Sequence, residues 1–297
     1  SLINRAWVLD LLPEASMLRW LAANGVRPLL LDWGAPDAER GFGLDEYVLD
    51  RLVPAIEAVG EPVVLAGYCM GGLLALAAAL ACPGRTRAAA FLAAPWDFHV
   101  PDRARAAAVA GCLPLLEPAM AALGVLPVDL LQSLFALLDP WGVPAKYRAF
   151  AAMDPESDAA RRFVALEDWL NDGVPLPAPV AREALGGWYG ANSPARGDWR
   201  VGGRAVDPAA LGVPAWIAAP ARDRIVPPES ALALARAIPG AATHRPGAGH
   251  IGMVAGAGAE AALWRPFADW CRALPPPVSS ARSRQGSATA AARPSRP

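Results

Sequence analysis

The segment Gly67-Tyr68-Cys69-Met70-Gly71-Gly72 is the strongest local signal for chemistry in this chain. A β-branched apolar run precedes it and an alanine- and leucine-rich run follows, so it reads as a sharp turn from a strand into a helix. A thiol at the apex of such a turn is presented to a substrate, and the positive end of the helix dipole lowers its pKa. Neighbours two positions away on either side must lack side chains to avoid strand and helix. Gly67 and Gly71 are expected to meet that need, and Gly72 to let the helix pack closely. The backbone N–H of Met70 would point into the same space and stabilise an oxyanion. The competing reading is a buried, inert cysteine beside a glycine turn.

A nucleophilic thiol needs a base, and the chain has three histidines. His250 lies in the glycine-flanked stretch Gly247-Ala248-Gly249-His250-Ile251-Gly252, late in the chain, where a histidine following the last strand is expected. His244 falls in a strand-like run and suits a structural role, while His99 opens a long irregular region and suits packing or exposure. The orienting acid should lie between nucleophile and base in chain order. Asp223, in Ala219-Pro220-Ala221-Arg222-Asp223-Arg224-Ile225-Val226-Pro227, is the one carboxylate of its loop before Glu229. Its alternative is an exposed ion pair with Arg222 or Arg224.

Elements must carry these groups, and the pattern supplies them. In the first hundred residues helix-like stripes alternate with strand-like runs. Pro13-Glu14 reads as a helix start, Leu29–Leu31 as a buried strand, and Leu44–Val59 as a helix. Val63–Ala66, Gly71–Ala81 and Ala90–Ala93 follow as strand, helix and strand. Such alternation predicts an α/β fold: a mostly parallel sheet flanked by helices. From 97 to 208 prolines recur and no clear strand is visible, which predicts a helical cap insertion. Alternation returns with Trp216–Ala219, Glu229–Ile238 and Glu260–Ala273. Residues 1–274 thus read as one domain whose first strand lies upstream of Ser1. Residues 275–297, rich in Pro, Ser, Ala and Arg, read as a disordered tail.

Composition narrows the function classes. With 297 residues and 54% apolar against 19% charged, the chain can build a large core. A formal net charge of −1 gives no reason to expect nucleic acid as a partner. Cys69, Cys82, Cys112 and Cys271 are spaced neither as a disulfide framework nor as a metal site, which suits a reducing compartment. The uncharged stretch 62–84 is long enough to cross a membrane, but its glycines split it into strand, turn and helix. The apolar region 106–141 is broken by Glu117, Asp129, Asp139 and prolines, so no transmembrane segment is expected.

With Cys69, Asp223 and His250 in view, the sequence resembles the polyhydroxyalkanoate synthase catalytic subunits, nearest to the two-subunit, class III-type branch. The likeness runs from Ile3-Asn4-Arg5 and Val8-Leu9-Asp10-Leu11 through Asp32-Trp33-Gly34-Ala35-Pro36, Leu44-Asp45-Glu46-Tyr47 and Pro95-Trp96-Asp97-Phe98. It continues at Asp223-Arg224-Ile225-Val226-Pro227-Pro228 and Gly249-His250-Ile251-Gly252. Within the insertion, Glu167-Asp168-Trp169-Leu170-Asn171-Asp172 is similar to a family block, whereas Gly173-Val174-Pro175-Leu176-Pro177 departs from it. The resemblance implies an α/β-hydrolase fold with a cap, a Cys–His–Asp triad and (R)-3-hydroxyacyl-CoA substrates, with no further cofactor. It implies that the Ile3 loop carries the second oxyanion donor beside Met70. It also implies a cytoplasmic polyester granule as the place of work, and a second synthase subunit or another copy of the chain as partner. Hydrolysis by an esterase, thioesterase or depolymerase is the alternative activity, and an inactive subunit or granule-binding protein the second alternative.

Overall fold

The computed structural model describes residues 4–138 and 142–275. Val63–Tyr68 (β1), Thr86–Leu92 (β2), Ala215–Ala218 (β3) and Ala242–His244 (β4) form a wholly parallel sheet in the order β4-β3-β2-β1. The two central strands, β2 and β3, are buried at consecutive positions because both sheet faces are covered there, whereas the edge strand β4 is largely exposed. Leu65, Phe91 and Ile217 pack on one face with the helix Met70–Ala81 (α1). Leu92, Trp216 and Ala218 pack on the other, with Met253, Leu263 and Phe267. The alternation along β2 and β3 is the period-two pleat read on two buried faces.

The expected parallel sheet flanked by helices is therefore present. The uncharged stretch 62–84 resolves into β1, a turn and α1. Within α1, Leu73, Leu76 and Ala78 are inaccessible, so its apolarity serves the core. α1 crosses from β1 to β2, and Pro228–Ala237 (α2) crosses from β3 to β4. His250–Ala255 (α3) follows β4.

Between β2 and β3 run the helices Arg103–Gly111, Leu113–Leu123, Val128–Leu138, Gly142–Ala151 and Asp158–Asn171, then a π-helical segment Glu183–Gly190. Two antiparallel pairs also occur there, Val125–Leu126 with Leu176–Pro177 and Arg200–Val201 with Arg204–Ala205. At two residues per strand they leave no period to read in the sequence. Arg103–Leu123 is, among the described residues, the one helical stretch long and apolar enough to cross a membrane by length and composition. Its Glu117 pairs with Arg182 at 2.5 Å, so part of this stretch packs against protein.

Two local expectations are corrected. Leu29–Leu31 forms no strand, and its side chains are 58%, 39% and 37% exposed. Apolar character makes a strand only where a neighbour completes the hydrogen-bond ladder, and this run pairs with none of the described strands. The first long helix starts at Met17, not at Pro13. Pro13 and Glu14 turn between two short antiparallel strands, and the Ser16 hydroxyl caps the helix by accepting from the Arg19 N–H at 2.9 Å.

Candidate active site

Cys69 stands between β1 and α1 with φ +55° and ψ −129°. A non-glycine residue in that region stores about 1–3 kcal/mol of strain, so the surroundings must over-determine it. They do so through backbone contacts. The Cys69 N–H donates to the Leu92 carbonyl at 2.9 Å, tying the turn to the end of β2, and the Gly72 N–H donates to the Cys69 carbonyl at 2.9 Å. A Cβ on Gly67 would lie 2.3 Å from the Gly71 carbonyl oxygen, and one on Gly72 would lie 2.3 Å from the Ala94 Cβ. Gly71, by contrast, faces open space. The expectation that Gly71 must be bare is thus corrected: the two crowded positions are Gly67 and Gly72, because α1 crosses β1 and the end of β2 at those points.

The second group arrives on hydrogen bonds that prolong the β3–β4 pairing. The N–H groups of Ala219, Ala221 and Arg222 donate to the carbonyls of His244, Pro246 and Ala248 at 2.8, 2.9 and 3.0 Å. This zipper sets Asp223 beside the start of α3, where His250 is the first residue. His250 Nδ1–H donates to Asp223 Oδ2 at 2.6 Å. The other carboxylate oxygen accepts the Ile225 and Val226 N–H groups, both at 2.9 Å. The Asp223 side chain is inaccessible and that of His250 is 7% exposed, so this pair is shielded from water.

The half-buried thiol of Cys69 lies within the electrostatic reach of the His250 ring, whose Nδ1 is committed to Asp223. Burial pushes the Cys69 thiol up, but the nearby charge of His250 leads the influences that outweigh it, and the thiol pKa falls below its ordinary value. Burial pulls His250 down, yet the facing thiolate and the Asp223 hydrogen bond raise it to about 9. The three residues singled out in the sequence are together, and their charges favour a thiolate–imidazolium pair.

Beside Met70 opens a cleft of about 610 Å³, lined also by Asn4, Arg5, Tyr47, Leu74 and Leu176. Asn4 is anchored there by donating to the Trp169 and Leu170 carbonyls, both at 3.2 Å. Ile3 lies outside the described residues, as do 276–297 of the expected tail.

Two proteins are similar to this chain along most of its length. The Haloferax mediterranei protein named poly(3-hydroxyalkanoate) polymerase subunit PhaC is 29% identical over 282 residues, which cover 91% of this chain and 57% of its own length. The protein of that name from Allochromatium vinosum is 30% identical over 241 residues, 79% of this chain and 67% of its own. The chain belongs to the poly(3-hydroxyalkanoate) polymerase family. It spans little more than half the length of the Haloferax relative and two thirds of the Allochromatium one. No protein-family model matches it. Among solved structures, it is similar to an esterase from Thermogutta terrifontis, with 17% identity, a TM-score of 0.51 and coverage of 91% and 86% of the two chains. The pyrethroid hydrolase PytH gives 13% identity, a TM-score of 0.53 and coverage of 92% and 95%. These likenesses show that this polymerase-family chain has the α/β-hydrolase fold.

The other two histidines of this polymerase-family chain hold structure. His244 donates to the Ala262 carbonyl at 2.6 Å and stacks on Trp216. His99 donates to the carbonyls of Tyr189 and Gly190 at 3.0 and 3.2 Å. Some residues at the site were not foreseen. The Tyr68 hydroxyl donates to the His250 carbonyl at 3.3 Å, and its ring lies 4.9 Å from the imidazole. Its place directly before Cys69 was the available signal. The role of the Ile225 and Val226 N–H groups carried no signal, since every residue but proline has that donor.

Proposed function

We propose that this chain is a cysteine acyltransferase that moves (R)-3-hydroxyacyl groups from CoA thioesters to a growing polyester, with Cys69 as nucleophile, His250 as base and Asp223 as its orienting acid. The observation that carries this reading is the Cys69 sulfur beside His250, whose far nitrogen is bound at 2.6 Å by a buried carboxylate. The polymerase names of the relatives support the product class.

In the first half-reaction the Cys69 thiolate adds to the thioester carbonyl. Negative charge develops on the carbonyl oxygen, and the Met70 N–H at the start of α1 is placed to receive it. Collapse breaks the bond from carbonyl carbon to CoA sulfur, and the leaving thiolate takes the proton held on His250 Nε2. In the second half-reaction His250 accepts the proton of an acceptor hydroxyl, whose oxygen attacks the acyl-cysteine carbonyl. An ester forms, and the Cys69 thiolate is restored opposite the imidazolium. Asp223 keeps its proton count throughout and stabilises the imidazolium.

On this reading residues 97–208 act as a cap that limits the access of water to the acyl-enzyme. The Ile3 loop supplies the second oxyanion donor. A second synthase subunit or another copy of this chain, at a cytoplasmic polyester granule, is the working partner.

The test is CoA release from 3-hydroxybutyryl-CoA by the wild type and by Cys69→Ala, with analysis of the acyl product. Release should fall to background in the variant and oligomer should accumulate in the wild type. Equal rates would remove the nucleophile from Cys69, and free hydroxy acid as the sole product would make the chain a hydrolase.

A further inference from the structure

A second cleft, of about 540 Å³, is lined by Tyr189, Ile225, Val226, Arg105 and Phe98. Val226 belongs with Ala219 and Ala231 to a small apolar cluster against which Cys69 packs, so the cleft and the thiol share one wall. Tyr189 lies in the last turn of the π-helical segment Glu183–Gly190, a type of irregularity frequent at functional sites.

Its position is fixed by a network outside the three groups already described. His99 Nε2–H holds the Tyr189 and Gly190 carbonyls, and the His99 N–H donates to Asp97 Oδ1 at 3.0 Å. The Asn192 amide donates to the same Asp97 oxygen at 2.8 Å and accepts the Phe98 N–H at 3.0 Å. The Phe98 ring meets the Tyr189 ring edge-on at 4.9 Å. Backbone and ring are thus held, yet the hydroxyl makes no hydrogen bond to protein among the described residues. Tyr189 is part-exposed where it lines the cleft, so the hydroxyl is open to a ligand there. Burial, and then the nearby Cys69 charge, push this phenol up to about 12, so it remains a neutral donor at any working pH.

We propose that Tyr189 is a substrate-contacting residue whose hydroxyl donates a hydrogen bond to the oxygen on C3 of the acyl group at Cys69. The inference rests on the hydroxyacyl-transfer reading above. The chemistry of that oxygen fits a phenol. In an incoming monomer it belongs to a hydroxyl, and in the chain to an ester, and both forms accept a hydrogen bond. A carboxylate would accept only, whereas a protonated phenol serves both and does not deprotonate water beside the acyl-enzyme.

The experiment compares wild type and Tyr189→Phe, as full chains, in single-turnover CoA release from 3-hydroxybutyryl-CoA and from butyryl-CoA, which lacks the C3 oxygen. The variant should lose roughly fivefold to tenfold with the hydroxyacyl substrate, the worth of one neutral hydrogen bond. It should keep the wild-type rate with butyryl-CoA. Equal losses on both substrates, or no loss on either, overturn the proposal. Iodoacetamide alkylation of Cys69 in the variant should proceed at the wild-type rate, and a slower rate makes Tyr189 a packing residue and overturns it too. A wild type that releases CoA from neither substrate removes the acyl-transfer reading itself, and this proposal with it.

Discussion

The turn at Cys69 and the paired loops at Asp223 and His250 both place a reactive group at the carboxyl end of the sheet, by different physics. The first is a steric construction: the backbones of Gly67, Gly71 and Gly72 and the Ala94 side chain approach so closely that bare Cα atoms are required at two positions. The second is a polar construction, in which three backbone hydrogen bonds zip the loops together and a buried carboxylate spends both oxygens on N–H donors. The first should therefore fail when volume is added. The second should fail when a single proton is misplaced, with the fold intact.

The largest expected effect tests the polar half. Asp223→Asn keeps shape but presents an amide N–H to His250 Nδ1, favouring the wrong tautomer, so CoA release should fall about 10²–10⁴-fold. The pH response has a definite sign. In the wild type the thiolate forms as pH rises through the lowered Cys69 value, and the imidazolium is lost near the His250 value of about 9. Without the Asp223 carboxylate His250 loses its proton at lower pH, so less cation faces the sulfur. The midpoint of Cys69 alkylation by iodoacetamide should then move upward, and an unchanged midpoint would show that Asp223 does not govern the pair.

Gly67→Ala tests the steric half. The added carbon meets the backbone of Gly71 and Gly72 at the start of α1, which cannot swing away as a side-chain end would, and a loss of about 3 kcal/mol in urea unfolding is expected. Gly72→Ala clashes with the Ala94 methyl, the Gly67 carbonyl and the Ala94 Cα being at ordinary contact distance, and should cost about 1–3 kcal/mol. Because that clash is pairwise, Gly72→Ala combined with Ala94→Gly should be less destabilised than the sum of the two single changes. The smallest effect belongs to Gly71→Ala, whose Cβ would point into open space, and a change within about 0.5 kcal/mol is expected. A large loss there would mean that helix packing around the turn is tighter than the contacts show.

The same contrast explains what could be read beforehand. Cys69 was legible because the turn is local, with glycines close on both sides of the thiol. Local spacing could not tell Gly71 from Gly72, since the difference is made by Ala94, which follows the end of β2. Asp223 and His250 were legible from chain order and from their loops after strand-like runs, while the zipper that joins those loops was not. Leu29–Leu31 misleads because apolar content predicts a strand only where a partner completes the ladder. Tyr189 stayed out of view because nothing near it in sequence is reactive.

Sequence alone determined the residue types, the alternation that makes a parallel sheet, and the bare positions that allow a strained cysteine, because these depend on neighbours within a few bonds. Tertiary structure decided which glycines are crowded, that Asp223 accepts the Nδ1–H of His250, and that a tyrosine 120 positions beyond the thiol borders a cleft sharing a wall with it. Those outcomes turn on distances between segments that meet only when both faces of the sheet are buried.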